Sequence, residues 1–491
     1  MALREVLRRL TIGLFLLLIT IPVFLETIGN LSHKSYLAAL LSALILFSFL
    51  MLVRKRITGL RMKVNGSNPL SVCLVLSIFC LIVNGLFACC FQPIQAADYR
   101  TFFHVARDLS EGIHPGMKDY VAMFPHILGY SAFLSIFLRL FGESIAVAAA
   151  LNVVLTTISG IIIFILGRKM TDTYCGAAAF LIWSVCPSKL LYNTMVLSEP
   201  YYTCLLLLFF LVTERIIDLM KQNKPNRTAG ILLLSALSAV ILVLVQTARP
   251  IAIIPILALA GWVLFLSDAA FLRRTWKRWI LSGTVLVFCY AGGNQLWQAY
   301  ATEQLEQTPP SIPGYSIYVG FNLDTSGSYA DEDMALLQDR YFGEYEKNAE
   351  AAQRSMFEDA KERIISTRKE IPQMMLTKLQ TLLGHDEGGA FYAIESLSER
   401  QYRISCIISN VWYYCVWIFA IMGTAGLWKR RENGLILCIL LFVIGLILAQ
   451  LLVEVAARYH YAVIPMLLLV SVYAFGRSKD SKAVRCDDPC A

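Results

Sequence analysis

Charge is scarce in this sequence. Only 16% of its 491 residues are charged, 57% are hydrophobic, and the mean hydropathy is +0.60. A soluble enzyme with one membrane anchor does not reach these values, so the composition excludes that class. It indicates a polytopic membrane protein.

The net charge of +8 is unevenly distributed along the chain. Residues 301–405 hold 10 Lys+Arg against 18 Asp+Glu, whereas the remainder holds 33 against 17. The basic excess lies mostly in short loops beside apolar runs, where Lys and Arg mark the cytoplasmic side of a membrane. The charge therefore indicates topology, and we expect membrane lipids and no nucleic acid as partners.

Cysteine is absent from residues 301–405, so no disulfide crosslinks this largest polar segment. Most of the 13 cysteines lie in apolar runs, where the side chain behaves as a small hydrophobe. The spacing of His104, His114 and His126 matches no zinc pattern. We expect neither a metal nor another cofactor. No small-residue cleavage site follows the first apolar run, so we interpret that run as a retained helix.

Twelve apolar runs approach the length of about 20 residues that a membrane-spanning helix needs. They cover residues 10–28, 36–53, 70–90, 145–166, 174–191, 201–217, 229–245, 251–266, 279–297, 406–428, 435–453 and 461–475. The sequence therefore predicts an all-α polytopic membrane protein with about twelve transmembrane helices.

A thirteenth apolar stretch, residues 123–142, decides the topology. If it crossed the membrane, the basic segments at 167–170, 221–227, 272–278 and 428–431 would all face outward, against the positive-inside rule. The stretch also contains Pro125, His126, Gly129 and Arg139, which suit a lipid-facing helix poorly. We therefore predict an interfacial or re-entrant helix and place both termini in the cytoplasm.

This topology sends the polar clusters around Asp98, Glu199, Arg249 and Arg458 to the outer face, together with a mainly helical loop. It divides the chain into an added N-terminal helix pair (1–64), a membrane core (65–298), an outer helical subdomain (299–405), C-terminal transmembrane helices (406–476) and a cytoplasmic tail (477–491). Within the outer loop, helical periodicity covers 331–383 with a break at Pro372.

Several short motifs recur in an order and spacing that resemble the GT-C glycosyltransferases, most closely family 39, which contains protein mannosyltransferases and aminoarabinose transferases. The motifs are Asp98-Tyr99, Phe124-Pro125 with Gly129-Tyr130, Phe141-Gly142, Gly167-Arg168, Pro187, Ser198-Glu199-Pro200, and Arg458-Tyr459 with Pro465. The resemblance covers about residues 70–476. It departs from the family pattern at Tyr99, where Glu is common, and at Glu199, where Asp is frequent.

The resemblance implies a GT-C-like core with interfacial helices in its first outer loop. It also implies an inverting transferase that moves a sugar from a polyprenyl-phosphate donor to a hydroxyl or phosphate acceptor of the cell envelope. The active site would lie on the outer face of the plasma membrane.

Two carboxylates are the catalytic candidates. Asp98 is placed to act as general base at the membrane edge, where partial desolvation raises a carboxyl pKa. An Asp before a helical run is also a common helix N-cap. Glu199 precedes Pro200 at a helix start, where an acid is favoured by the helix dipole, so it has a structural as well as a functional interpretation.

Arg249 and Arg458 are candidate phosphate ligands, because a guanidinium forms bidentate hydrogen bonds with phosphate. Their alternative role is to reach the lipid headgroups. The further substrate-binding candidates are Tyr99, His126, Tyr459 and His460. Two other classes remain open: a secondary transporter, which usually shows related halves and polar residues at mid-bilayer, and a non-catalytic partner in envelope assembly.

Overall fold

The computed structural model describes residues 2–29, 34–52, 54–222, 224–430 and 432–475. Throughout these ranges the regular structure is helical and there is no β-strand, which confirms the predicted all-α class. The predicted cytoplasmic tail, including Cys486 and Cys490, lies outside the described residues.

The first fourteen helices cover the N-terminal pair, the first outer loop and the following membrane helices. They are α1 (Ala2–Phe24), α2 (Lys34–Leu52), α3 (Arg54–Gly66), α4 (Pro69–Cys90), α5 (Ala97–Glu111), α6 (Lys118–Met123), α7 (His126–Phe141), α8 (Ile145–Met170), α9 (Thr173–Ser184), α10 (Pro187–Tyr192), α11 (Glu199–Gln222), α12 (Thr228–Ala248), α13 (Ile253–Gly261) and α14 (Ala269–Leu305).

The remaining helices form the predicted outer loop and the C-terminal part of the bundle. They are α15 (Gly314–Gly320), α16 (Asp331–Asp339), α17 (Ala349–Ser366), α18 (Ile371–Leu383), α19 (Gly388–Tyr392), α20 (Glu399–Arg430), α21 (Leu435–Leu451) and α22 (Val463–Phe475). A short 3-10 turn, Ala457–His460, precedes α22.

Six segments of the described chain are long and apolar enough to cross a membrane: Leu3–Gly29, Pro69–Cys90, Ile145–Met170, Thr228–Ala248, Glu399–Arg430 and Ala457–Ala474. Shorter apolar helices accompany them, and the chain is an all-α membrane protein. Each of the twelve predicted apolar runs contains helix. The run 174–191 is divided between α9 and α10, because Pro187 cannot continue a helix and instead begins the next one.

The predicted N-terminal helix pair packs against the C-terminal part of the bundle rather than standing apart. Trp417 Nε1 on α20 donates a hydrogen bond of 2.9 Å to the carbonyl of Ile19 on α1. Near the other end of α1, the buried Arg8 side chain donates to the carbonyl of Leu427 at 3.1 Å. Helix α1 therefore packs along α20.

The helices of residues 97–141, which the sequence predicts to lie in the first outer loop, are packed tightly against the bundle. A Cβ at Gly129 on α7 would lie 2.1 Å from the carbonyl oxygen of Thr247 on α12, so only glycine allows this close backbone approach. Ser131 Oγ on α7 donates to the carbonyl of Phe102 on α5 at 3.0 Å. Helix α5, which carries Asp98, is thus held by α7, and α7 by α12.

The predicted outer loop is helical, as expected, but its helices begin and end at other residues than the sequence predicts. Residues 331–383 form α16, α17 and α18, with a π-helical turn at Arg340–Glu344. Pro372 lies in the first turn of α18, where its missing N–H leaves no helical hydrogen bond unmade. A separate small core, which includes Tyr315, Tyr341 and Met356, joins these helices to Met123 of α6.

Lys378, on α18, connects the helices of the predicted outer loop to the rest of the helical bundle. Its buried ammonium group donates to the carbonyls of Gly320, Leu451 and Val453 at 2.8, 2.8 and 2.6 Å. We expect Lys378→Met to lower the unfolding temperature by several degrees, because each buried carbonyl left without a donor costs about 1–3 kcal/mol. Thermal unfolding in detergent measures this. Lys361→Met, on the exposed face of α17, is the control, and an equal effect of both variants would contradict the prediction.

Candidate functional site

Asp98 lies in the first turn of α5 but does not cap the helix. The N-cap residue is Ala96, which makes no side-chain cap bond. The Asp98 carboxylate instead accepts a hydrogen bond of 2.6 Å from Arg458 Nη2, across 360 positions of sequence. Ala97, immediately before it, has a φ of +46°, a left-handed conformation that costs an L-residue about 1–2 kcal/mol. Such outliers cluster at functional sites.

Glu199 is the first residue of α11 and joins the two predicted arginines. Its Oε1 accepts a hydrogen bond of 2.7 Å from Arg249 Nη2, just beyond the end of α12. The same oxygen lies 3.8 Å from Arg458 Nε. The structure therefore brings Asp98, Arg458, Glu199 and Arg249 together in one alternating chain of charges. The positive end of the α11 dipole further stabilises the Glu199 carboxylate.

The four charged side chains differ in accessibility. Glu199 is 1% exposed, while Arg458 and Arg249 are 12% and 13% exposed. Asp98 is the most accessible, at 32%. The site is therefore most open at Asp98, whereas Glu199 is buried beside the arginines.

Tyrosine rings surround both guanidinium groups. Arg458 lies 5.9, 5.4 and 5.6 Å from the ring centroids of Tyr99, Tyr392 and Tyr459. Arg249 lies 5.0 Å from Tyr459, which thus contacts both cations. Cation–π attraction of this kind holds an arginine in place without consuming its N–H donors.

Several buried polar atoms of the site have no hydrogen-bond partner among the residues that the structure describes. They are Glu199 Oε2, Arg249 Nε and Arg458 Nε. Buried polar groups are normally satisfied, and unsatisfied ones at a site are free to meet a ligand. Since arginine has five N–H donors, both guanidinium groups keep donors for an oxyanion.

The pKa of Asp98 differs from the sequence-based expectation. Burial alone would raise it, but the charge and hydrogen bond of Arg458 outweigh burial, with a smaller contribution from Arg249. The pKa of Asp98 is therefore lower than usual, and the expectation of a raised value is wrong. The sequence did not indicate this effect of Arg458, because Arg458 lies 360 positions away from Asp98.

Two residues of the site were missed at the level of sequence. Glu454 precedes the Ala457–His460 turn, and burial raises its pKa, while Arg458 acts in the opposite direction. Tyr392, the last residue of α19, contacts Arg458 through its ring. Glu454 belonged to a polar cluster that the sequence had marked as outward-facing, whereas nothing in the sequence distinguished Tyr392 from the other loop aromatics.

The two histidine candidates occupy different positions. His126, at the start of α7, belongs to the site, but burial lowers its pKa to about 3, so its ring is neutral at neutral pH. His460 is only 2% exposed, and its ring nitrogens lie 2.8 Å from the carbonyl of Leu382 and 3.0 Å from Asp386 Oδ1. It therefore lies behind the site.

No protein-family model matches this chain, and a search of curated proteins finds no match. The described residues also contain no group of three or more His, Cys, Asp or Glu side chains that could hold a metal ion. Two arginines with free donors and an accessible carboxylate can bind a phosphorylated substrate and accept a proton beside it.

Proposed function

We propose that the protein is a membrane glycosyltransferase that moves a sugar from a polyprenyl-phosphate donor to a hydroxyl or phosphate acceptor. The carrying observation is the Asp98–Arg458–Glu199–Arg249 chain, where Asp98 accepts 2.6 Å from Arg458 and Glu199 accepts 2.7 Å from Arg249. One accessible carboxylate stands beside two cations, and this combination suits a reaction in which a proton is removed while phosphate departs.

In the proposed reaction with a hydroxyl acceptor, the acceptor oxygen forms a bond to the anomeric carbon as the bond from that carbon to the phosphate oxygen breaks. The phosphate leaves with the electron pair, and Arg458 and Arg249 stabilise its charge. Asp98 takes the acceptor proton. Because its pKa is low, this transfer occurs late, when bond formation has made the acceptor oxygen acidic. A single displacement inverts the anomeric configuration.

An apolar groove supports a lipid-borne donor. It has a volume of about 290 Å³ and lies between α4 and α8, among residues that include Gly85, Ala88 and Ala149. Thr194 lines one part of it, and the Thr194 carbonyl accepts a hydrogen bond of 3.2 Å from Gln95, three residues before Asp98. The segments that border the groove thus continue directly into those that carry Asp98 and Glu199.

The same proposal includes a topology of twelve spans with both termini in the cytoplasm and the site on the outer face of the plasma membrane. The basic loops support it, because all four then obey the positive-inside rule. The packing of α7 on α5 and α12 is compatible with an interfacial helix. Cysteine labelling from outside at Glu111→Cys on α5 tests it: modification only after the membrane is permeabilised would contradict the outward placement.

Transfer itself is tested with the purified full-length protein in lipid vesicles. Polyprenyl-phosphate donors with different labelled sugars are incubated with a membrane extract as acceptor source. The proposal expects label to leave the donor and enter the extract. Binding of donor without transfer would favour the non-catalytic partner, and movement of donor across the vesicle without transfer would favour the transporter.

Glu454 makes the donor affinity depend on pH. Burial raises the pKa of Glu454 above its usual value of 4.5, so lowering the pH protonates it while the Asp98 carboxylate, with its lowered pKa, stays ionised. Loss of a negative charge near the arginines favours the donor phosphate. We expect the donor KM to fall as the pH decreases towards the pKa of Glu454, with kcat little changed.

Glu454→Gln tests this assignment, because the amide is neutral at every pH. The variant should show the low KM throughout and lose the pH dependence. A KM that still changes with pH in Glu454→Gln would assign the effect to another group.

A further inference from the structure

Two further charged residues, Lys189 and Asp386, are buried behind the candidate site. Lys189, on α10, is only 1% exposed, and Asp386, in the segment before α19, is 2% exposed. Both line a small cavity, together with His460, Tyr192 and Tyr461. A buried lysine and a buried aspartate are each costly unless their charges are compensated, so their position in one cavity calls for a physical explanation.

The Lys189 ammonium group is incompletely paired by protein groups. It donates to Asn84 Oδ1 at 2.8 Å and approaches the Ser184 carbonyl at 3.5 Å. The ring of Trp183 lies 5.2 Å from the nitrogen and adds cation–π attraction. An ammonium group has three donors, which leaves one for the cavity.

Asp386 has one engaged oxygen and one open oxygen. Its Oδ1 lies 3.0 Å from His460 Nε2, and His460 Nδ1 faces the carbonyl of Leu382 at 2.8 Å. Both ring nitrogens thus face oxygen atoms. The second oxygen, Asp386 Oδ2, has no hydrogen-bond partner within the described ranges, nor does the hydroxyl of Tyr192.

The charged residues that line the cavity, Lys189 and Asp386, determine what kind of molecule it can hold. An anion would meet the Asp386 carboxylate, and a cation would meet Lys189, so the occupant must both accept and donate hydrogen bonds. The space open to the centre of a water-sized molecule is about 10 Å³, close to what one water needs. A buried water typically makes about three hydrogen bonds, and Lys189, Asp386 and one tyrosine hydroxyl supply them.

We propose that this cavity binds one structural water, which links Lys189 to Asp386 and completes a buried chain from α10 through Asp386 to His460. The chain ends two residues from Arg458, in the same Ala457–His460 turn. It therefore positions the arginine that contacts Asp98. Only this last consequence rests on the proposed function; the water site itself does not.

The water site is tested directly by a crystal or electron-microscopy structure at about 2 Å resolution. A density peak within hydrogen-bond distance of both Lys189 Nζ and Asp386 Oδ2 is expected. A cavity without density, or a direct contact between the two side chains, would overturn the proposal. This measurement uses the wild-type protein and does not depend on any variant folding.

A double-mutant cycle tests whether Lys189 and Asp386 are energetically coupled. Lys189→Met and Asp386→Asn should each shorten the half-life of thermal inactivation in detergent at least tenfold, since each leaves a charge uncompensated. The double variant should be no worse than the worse single variant. Single effects that multiply in the double variant would show that the residues act independently and would overturn the chain. The exposed pair Lys361 and Glu358 provides the control cycle.

These readouts do not use sugar transfer. A protein without transferase activity would leave the water site standing, and an empty cavity would leave the proposed transferase standing.

Discussion

We expect Asp98→Asn to lower the rate of the proposed sugar transfer by at least about a hundredfold, because a general base contributes about 10²–10⁴-fold. The amide keeps the shape of the side chain but cannot accept the acceptor proton. Its oxygen can still accept from Arg458, so the position of α5 is preserved. The rate of label transfer at saturating donor measures the effect, and the donor KM should change much less than kcat.

Glu111→Gln is the matched control for this prediction. Glu111 ends the same helix, is exposed, and lies away from the charged chain. Both variants should be produced in equal amounts and unfold at similar temperatures. Full activity of Asp98→Asn would remove Asp98 from the role of base and leave Glu454 and Glu199 as the carboxylates to examine.

Arg458→Gln is expected to lower kcat by about 10²–10³-fold, the usual effect of removing one donor that stabilises charge in the transition state. The variant also removes the cation that holds the pKa of Asp98 below its usual range. Burial then dominates, and the pKa of Asp98 rises. Activity should therefore be lost at a higher pH during acidification than in the wild type.

This shift in the acidic side of the pH–activity profile distinguishes a catalytic role of Arg458 from a purely structural one. A variant that merely misfolds loses activity at all pH values alike. Arg458→Lys keeps the charge but lacks the planar fork, so an intermediate loss with a smaller shift is expected. Arg100→Gln, an exposed position on α5, serves as the control. An unchanged pH profile in Arg458→Gln would contradict the assigned role of Arg458.

The relation between sequence and site is clearest at Asp98. Its place at the start of a helix was readable from the local pattern, and so was the competing interpretation as an N-cap. Only the structure shows that its partner is Arg458, because nothing in the local sequence of either residue encodes a contact across 360 positions. The direction of its pKa shift followed from that partner, which is why the sequence-based expectation was wrong.

The sequence by itself determined the features that depend on local composition. Apolar runs of sufficient length form helices, since a membrane leaves backbone groups no other partners. The positions of Glu199 and Pro200 at a helix start also followed from local rules.

The tertiary structure alone decided which polar groups meet. It placed Glu199 between two arginines, brought Glu454 and Tyr392 to the same site, and turned His460 away towards Asp386. Such contacts join segments far apart in the chain, and their geometry depends on how whole helices pack. Helix formation is a local process, whereas the pairing of charges in this site depends on the packing of the complete bundle.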